Sequence, residues 1–193
     1  MPTLYLIFGH LLADFVLQPF QLVLWKFRSR QGIFFHSLVH LLIYLAVFLP
    51  YLPDITVILT LLAVAGAHFV IDSLKIDKEK TGRRYPVYFL LDQLIHLLTL
   101  VAGGLLILGV SPNAFFGRQL LAVYGNFYLI FGLIGLFFVT YAIEMFCYQF
   151  KRTATRNASF KPDYGAMLNR AIIFLVPYGV FLVFGAYRVA AWV

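Results

Sequence analysis

The sequence predicts an all-α integral membrane protein with about six transmembrane helices. Of its 193 residues, 62% are hydrophobic and only 12% are charged, and the mean hydropathy is +0.89. Ordinary soluble domains contain about 45–50% apolar and about 25% charged residues. A soluble fold and a disordered chain are therefore excluded. The single cysteine, Cys147, permits neither an intrachain disulfide nor a Cys-based zinc site.

The predicted spans are the apolar stretches that approach the length needed, since about 20 residues cross about 30 Å of hydrocarbon. They are Thr3–Trp25, Ile33–Leu49, Ile55–Ile76, Pro86–Leu108, Leu120–Phe150 and Ala166–Ala190. Proline breaks the hydrogen-bond ladder of a helix, so Pro19 should bend the first span. The tail of that span, Phe20–Phe27, should then lie along the membrane interface.

Basic residues follow the first, third and fifth spans, and this asymmetry predicts the orientation of the chain. They are Lys26, Arg28, Arg30, Lys75, Lys78, Lys80, Arg83, Arg84, Lys151, Arg152, Arg156, Lys161 and Arg170. The opposite loops, 50–54 and 110–119, contain only Arg118 as a basic residue. We therefore expect a multipass protein of the cell inner membrane with both termini outside. We expect its net charge of +7 to attract the anionic headgroups of membrane lipids and not to bind nucleic acid.

Each histidine of the chain has a histidine or an aspartate four positions away in the same span. The pairs, one on each of the first four spans, are His10/Asp14, His36/His40, His68/Asp72 and Asp92/His96. Residues at i and i+4 share one helix face with Cβ atoms about 5–6 Å apart, so each pair can offer two ligands to a metal ion. Unpaired, each aspartate would cost about 2.5–3.5 kcal/mol at the membrane centre.

These pairs therefore predict a metal site in the cytoplasmic half of the bilayer. Two divalent ions with Asp14, Asp72, Asp92 and one hydroxide are neutral together, which suggests a centre of two Zn²⁺ ions. Mn²⁺ and Fe²⁺ suit the same ligands, whereas the lack of thiolates argues against copper(I) and iron–sulfur clusters. A polar network without metal is the competing interpretation.

The first four spans also contain an internal duplication. Residues 9–17, GHLLADFVL, match residues 67–75, AHFVIDSLK, and residues 36–42, HSLVHLL, match residues 92–98, DQLIHLL. Both hairpins start on the same side, so the repeat is parallel, with its axis along the membrane normal. We expect residues 1–110 to form a four-helix core that brings the pairs together, and residues 111–193 to add the last two spans.

The last two spans lack this signature and contain features typical of helix packing. Glu144 should pair with Arg170 or face the cytoplasmic interface. Gly132 and Gly135 should permit close contact between helices, as small residues do in membranes.

The strings GHLLADFVLQP, HSLVHLL, HFVIDSLK and FLLDQLIHLL resemble a family of small bacterial inner-membrane proteins described only as a domain of unknown function. More distantly, His36-Ser37 and the HxxxD motif resemble those of bacterial membrane-bound metal-dependent hydrolases, which are in turn similar to zinc-dependent phospholipase C. The second resemblance implies hydrolysis.

We therefore predict a membrane-embedded hydrolase that acts on a phosphoester or another small amphipathic substrate. A metal-bound water would attack, Asp72 or Asp92 would act as general base, and Lys75 would hold a phosphate. The candidates to orient the ligands are Gln18, Ser37, Ser73 and Gln93. Partners expected are membrane lipids and this substrate; a homodimer is left open.

Two other functions fit the same residues less well. A carrier of metal ions or protons could use this site, but no glycine or proline break is expected beside the ligands, and the candidate ligands are many for a site that must release its ion. A haem-binding electron carrier needs single histidines that face each other from separate helices.

Overall fold

The computed structural model describes residues 1–81, 85–154 and 161–190, and within these ranges it contains helices and no strand. The helices are α1 (Pro2–Leu11), α2 (Phe20–Arg28), α3 (Arg30–Val47), α4 (Ile55–Thr81), α5 (Tyr85–Leu106), α6 (Gly117–Tyr124), α7 (Phe127–Phe137), α8 (Ile143–Ala154) and α9 (Tyr164–Ala190). Arg83, Arg84 and Arg156, which the predicted orientation also uses, lie outside the described residues.

The described part of the chain has five helical segments long and apolar enough to cross a membrane, or six if the bent pair Pro2–Val16 and Gln21–Arg28 is one span. The five are Arg30–Val47, Ile55–Lys80, Tyr85–Leu106, Phe127–Ala154 and Tyr164–Phe184. The predicted class, an all-α multipass membrane protein, is confirmed.

The first span is broken, as Pro19 predicts. After α1 the chain continues through a wide π-helical turn, Leu12–Val16, and Pro19 is extended with φ −67° and ψ 150°. The chain then turns by 95° into α2. Because α2 runs across the direction of α1, its side chains can reach the end of the helix bundle.

The helices α1, α3, α4 and α5 form a closed four-helix core, in which α1 and α4 each pack against both α3 and α5. Small residues permit this packing: a Cβ added at Gly103 of α5 would lie 2.8 Å from Cγ2 of Val64 on α4. α3 begins at Arg30, not Ile33, because the Ser29 hydroxyl accepts a hydrogen bond from the Gly32 amide at 3.1 Å.

The predicted fifth span, Leu120–Phe150, is interrupted at its start. α6 ends at Tyr124, and α7 begins at Phe127 because the Asn126 side chain accepts a hydrogen bond from the Leu129 amide at 3.0 Å. This N-cap ends one helix and starts the next within an apolar stretch, so hydropathy alone does not locate the break. From Phe127 the helix continues through a second π-helical turn, Phe138–Ala142, into α8.

The packing predictions for the last two spans are confirmed. A Cβ at Gly132 would lie 2.6 Å from the Tyr178 ring, and one at Gly135 would overlap Phe174, so both glycines permit the approach of α9. Glu144 of α8 pairs with Arg170 of α9 at 2.7 Å. The span therefore reaches α9 through close apolar contact and one ion pair.

Candidate metal centre

The histidine rings from all four core helices meet in one buried cluster. Ring centroids are 3.7 Å apart for His40 and His68, 4.4 Å for His68 and His96, 4.7 Å for His36 and His40, and 4.9 Å for His10 and His96. None of the five residues is more than 4% exposed. The repeat therefore brings the histidines of its two hairpins together.

One carboxylate oxygen faces three of these histidines. Oδ1 of Asp14 lies 2.9 Å from Nε2 of His36, 3.1 Å from Nε2 of His40 and 4.0 Å from Nε2 of His68. One ligand atom from each of these four residues lies within 4.8 Å of the others. Ligand atoms bound at 2.0–2.1 Å to a tetrahedral ion are about 3.3 Å apart, so this group has the dimensions of a metal site. We call it the first group.

A second group shares one of these histidines. It consists of His68, Asp72 and His96, whose ligand atoms also lie within 4.8 Å of one another. Oδ2 of Asp72 is 3.5 Å from Nε2 of His68 and 3.6 Å from Nε2 of His36. The two groups are therefore adjacent, with Asp72 beside the first group.

Two predicted ligands lie outside both groups. Nε2 of His10 is 3.4 Å from Oδ2 of Asp14, and the His10 ring contacts those of the neighbouring histidines. Oδ1 of Asp92 is 3.5 Å from Nδ1 of His96, the nitrogen that donates to the Asp92 carbonyl. These two residues border the centre without completing a ligand group.

Hydrogen bonds fix which ring nitrogen of two histidines faces the centre. Nδ1 of His96 donates to the Asp92 carbonyl at 2.8 Å, which leaves Nε2 for the cluster. With the Gln18 amide oriented so that both its ends are satisfied, its oxygen accepts from Nδ1 of His36 at 3.2 Å, and its nitrogen donates to the Asp14 carbonyl at 3.0 Å. Such outer hydrogen bonds commonly orient histidines that bind metal.

The other residues predicted to orient ligands differ in their contacts. Nε2 of Gln93 donates to Oδ2 of Asp92 at 3.1 Å. Ser37 donates to the Ile33 carbonyl within its own helix at 3.1 Å, and Oγ of Ser73 has no hydrogen-bond partner among the described residues. Both glutamines therefore contact the predicted ligand residues, whereas neither serine donates to one.

Several buried nitrogens of the cluster lack a hydrogen-bond partner within the described ranges. They are Nδ1 and Nε2 of His10, Nδ1 of His40, Nδ1 and Nε2 of His68, and Nε2 of His96. Buried polar groups are nearly always paired in proteins, and one left unpaired costs about 1–3 kcal/mol. Imidazole nitrogens gathered beside carboxylates are a donor set that suits a divalent cation.

Two lysines enter the centre. Nζ of Lys26, on α2, lies 2.8 Å from Oδ2 of Asp72, and Nζ of Lys75 lies 2.8 Å from Oδ2 of Asp92. The sequence predicts Lys26 only as one of the basic residues beside the membrane, and the neutral charge balance for two metal ions includes neither lysine. With both lysines counted, the three aspartates of the centre retain one net negative charge.

An apolar layer closes the centre on the side where α1 begins. It consists of Leu6, Tyr44, Val64 and Leu100, each four positions from a histidine of the cluster on the same helix and each at most 5% exposed. Its one polar atom is the buried hydroxyl of Tyr44, which has no hydrogen-bond partner among the described residues. Since a helix rises 1.5 Å per residue, the layer lies about 6 Å from the histidines along the helices. Access to the centre from that side is therefore blocked.

A cavity of about 200 Å³ lies between α4 and α5. Lys75 and Asp92 line it together with apolar side chains that include Leu74, Leu91 and Ile95. These three are 47–62% exposed on the outer surface of the core, where membrane lipid would contact them. The cavity connects this apolar surface to the Lys75–Asp92 ion pair.

Comparison with known proteins gives one match. The family model described as "Protein of unknown function (DUF3307)" matches residues 3–121, which include all the histidines and aspartates of the centre. No curated protein and no solved structure matches the chain. The match agrees with the predicted resemblance to a family of unknown function, and the more distant resemblance to hydrolases stays a prediction.

Proposed function

Because the chain belongs to the DUF3307 family, whose description assigns no activity, we propose a function from the site alone: a metal-dependent hydrolase within the membrane that acts on a phosphoester or lipid-like substrate. The observation that carries the proposal is the first group. It offers a carboxylate and three imidazoles from three separate segments of the core, with one ligand atom of each residue within 4.8 Å of the others.

The ion would be held by Asp14, His36, His40 and His68. Zn²⁺ with these four ligands would bind water by expanding to five-coordinate geometry, whereas Mn²⁺ and Fe²⁺ ordinarily keep open positions. When bound, such an ion supplies a water of lowered pKa as nucleophile and stabilises negative charge on the substrate. With one divalent ion the centre has a net charge of +1, which favours an anionic substrate such as a phosphoester.

Asp72 would act as the general base, and the proximity of its Oδ2 to two nitrogens of the first group, within 3.6 Å, supports this role. The ammonium of Lys26, 2.8 Å from the same oxygen, would hold that carboxylate in position. Lys75 and Asp92 form the polar end of the cavity between α4 and α5. Lys75 would hold the phosphate there, and Asp92 would position Lys75 and His96.

The substrate would be an amphiphile that enters from the membrane. The apolar layer closes one side of the centre, whereas the cavity combines exposed aliphatic side chains with charged ones, among which Lys75 and Asp92 are mostly buried. An acyl chain suits such walls, since burial of apolar surface is favourable, and an anionic headgroup suits Lys75.

The proposed location is the cell inner membrane, with both termini outside and the basic loops in the cytoplasm. This orientation rests on the positive-inside rule. Alkaline phosphatase fused to the carboxyl terminus should be active in bacterial cells, and green fluorescent protein fused there should be dark. The opposite pattern would reverse the orientation and place the apolar layer on the cytoplasmic side.

A second candidate function, transport of a metal ion, has one observation in its favour. Asp14 lies in the π-helical turn Leu12–Val16, and the helix that contains it stops before Pro19. Carriers use such interrupted helices at their binding sites. The closed apolar layer favours the enzyme.

The test begins with the full chain purified in detergent and analysed for metals. We expect a bound divalent metal, and hydrolysis of bis(p-nitrophenyl) phosphate or a fluorescent phosphatidic acid in mixed micelles. His40→Ala should lose both metal and hydrolysis. Thr99→Ala is the control and should lose neither, because the Thr99 hydroxyl, at a half-buried position on α5, donates only to the Ile95 carbonyl of its own helix.

Three results would contradict the proposed enzyme. Absence of any divalent metal would remove its basis. Zn²⁺ uptake by proteoliposomes without hydrolysis of either phosphoester would favour the carrier. An absorbance band between about 400 and 420 nm would indicate haem ligation instead.

A further inference from the structure

We propose that Lys26 replaces a second metal ion, so that the centre binds a single divalent ion although it has two ligand groups. The ammonium of Lys26 would serve as the fixed cation of the group formed by His68, Asp72 and His96. This inference rests on the proposed metal centre and adds its stoichiometry and the residue that sets it.

The ammonium of Lys26 lies beside the carboxylate that a second metal ion would need. Nζ of Lys26 lies 2.8 Å from Oδ2 of Asp72, the only carboxylate of the second group, and 3.2 Å from the Gln18 oxygen in the satisfied orientation of that amide. A metal ion bound to the same carboxylate would lie close to this positive charge. In a buried site that repulsion is weakly screened, so the ammonium disfavours an ion bound to the second group.

The net charge of the centre also favours a single divalent ion. Asp14, Asp72 and Asp92 face Lys26 and Lys75, which leaves one net negative charge when the histidines are neutral. One divalent ion with one anionic ligand brings the centre to neutrality. A second divalent ion would add two uncompensated positive charges to a region that is nearly inaccessible to solvent, which is strongly unfavourable.

The packing of α2 on α3 directs the Lys26 side chain into the protein interior. Long basic side chains at a membrane interface normally extend to the headgroups, as exposed Arg28 can, yet Lys26 is only 8% exposed. Gly32 fixes this arrangement: a Cβ there would lie 2.5 Å from the backbone nitrogen of Lys26. The end of α2 therefore packs directly on the first turn of α3, with the lysine directed at Asp72.

The experiment measures metal stoichiometry in the full chain. Protein in detergent is stripped with chelator, reloaded with excess Zn²⁺, desalted and analysed for zinc per chain. We expect one zinc in the natural protein and two in Lys26→Met, which keeps the length of the side chain but removes its charge. Lys26→Arg should restore one, and the matched control Arg28→Met should stay at one.

A second variant and a second measurement allow the test to be made even if Lys26→Met does not fold. Lys26→Gln is analysed in parallel, and Mn²⁺-loaded samples are examined by electron paramagnetic resonance. We expect isolated Mn²⁺ in the natural protein and an exchange-coupled pair in the uncharged variants. A coupled pair in the natural protein would overturn the inference even if neither variant folds.

The outcomes separate the inference from the proposed function. Two zinc ions in the natural protein, or one in a folded Lys26→Met, would overturn the role of Lys26 and leave the metal centre in place. No zinc in any sample would remove the metal centre, and the inference with it.

Discussion

The Gln18 amide should determine how tightly the centre holds metal, and Gln18→Ala tests this. In the satisfied orientation, its oxygen accepts the Nδ1 proton of His36 at 3.2 Å. In the metal-free variant, His36 can carry its proton on Nε2 instead and donate to Oδ1 of Asp14 at 2.9 Å. With metal on Nε2, the proton must stay on Nδ1, where a buried donor then has no partner. The penalty therefore falls on the metal-bound state.

An unpaired buried donor costs about 1–3 kcal/mol, and loss of an outer hydrogen bond to a ligand usually weakens metal binding about 10–100-fold. We expect Gln18→Ala to raise the Kd for Zn²⁺ by that factor, measured by competition with a chromophoric chelator in detergent. Gln21→Ala, at an exposed position of α2, is the control. Gln18→Glu should restore affinity, since a carboxylate also accepts this proton. Equal affinity for Gln18→Ala and the control would refute the reasoning.

Three further predictions concern the centre and its support. His68 belongs to both ligand groups, so His68→Ala should lose the metal, whereas His96→Ala, in the second group only, should retain it; elemental analysis checks both. Gly32→Ala should lower the Tm in detergent by about 2–12 °C, because overpacking costs about 1–3 kcal/mol and each kcal/mol shifts Tm by about 2–4 °C at this size. Gly66→Ala, where an added Cβ meets no atom within 4 Å, should leave Tm unchanged. Glu144→Gln removes one partner of a partly buried ion pair, a change that costs about 3–5 kcal/mol when the pair is fully buried and less here, so it should lower Tm without changing metal content; loss of metal would contradict this separation.

The spans and the site histidines could be predicted because their signals are local. The apolar length of a span and the i, i+4 spacing of a pair such as His10 and Asp14 are properties of one helix. The repeat then relates the helices to each other, and it predicts that His40 and His68 approach from different hairpins. Their ring centroids are 3.7 Å apart.

The role of Lys26 could not be predicted because it depends on the path of the chain after Pro19. In the sequence, Lys26 and Arg28 are two basic residues of the same cluster and differ in no local property that assigns one to the interior. Only the 95° turn and the close packing at Gly32 direct Lys26 inward. The break before Phe127 escaped prediction for a similar reason, since an asparagine cap produces it within an apolar stretch.

The apolar layer links the repeat to the choice between enzyme and carrier. Each core helix supplies one residue to the layer and a histidine four positions away. The four-helix arrangement therefore places the buried apolar layer directly beside the histidine cluster. A carrier would have to open that layer in every cycle, which means separating Tyr44 and Leu6, both fully buried, from their neighbours. An enzyme whose substrate approaches from the cavity between α4 and α5, beside Lys75 and Asp92, could leave that layer closed. The same layer that excludes water from one side of the centre therefore favours chemistry at a fixed site over movement of an ion through it.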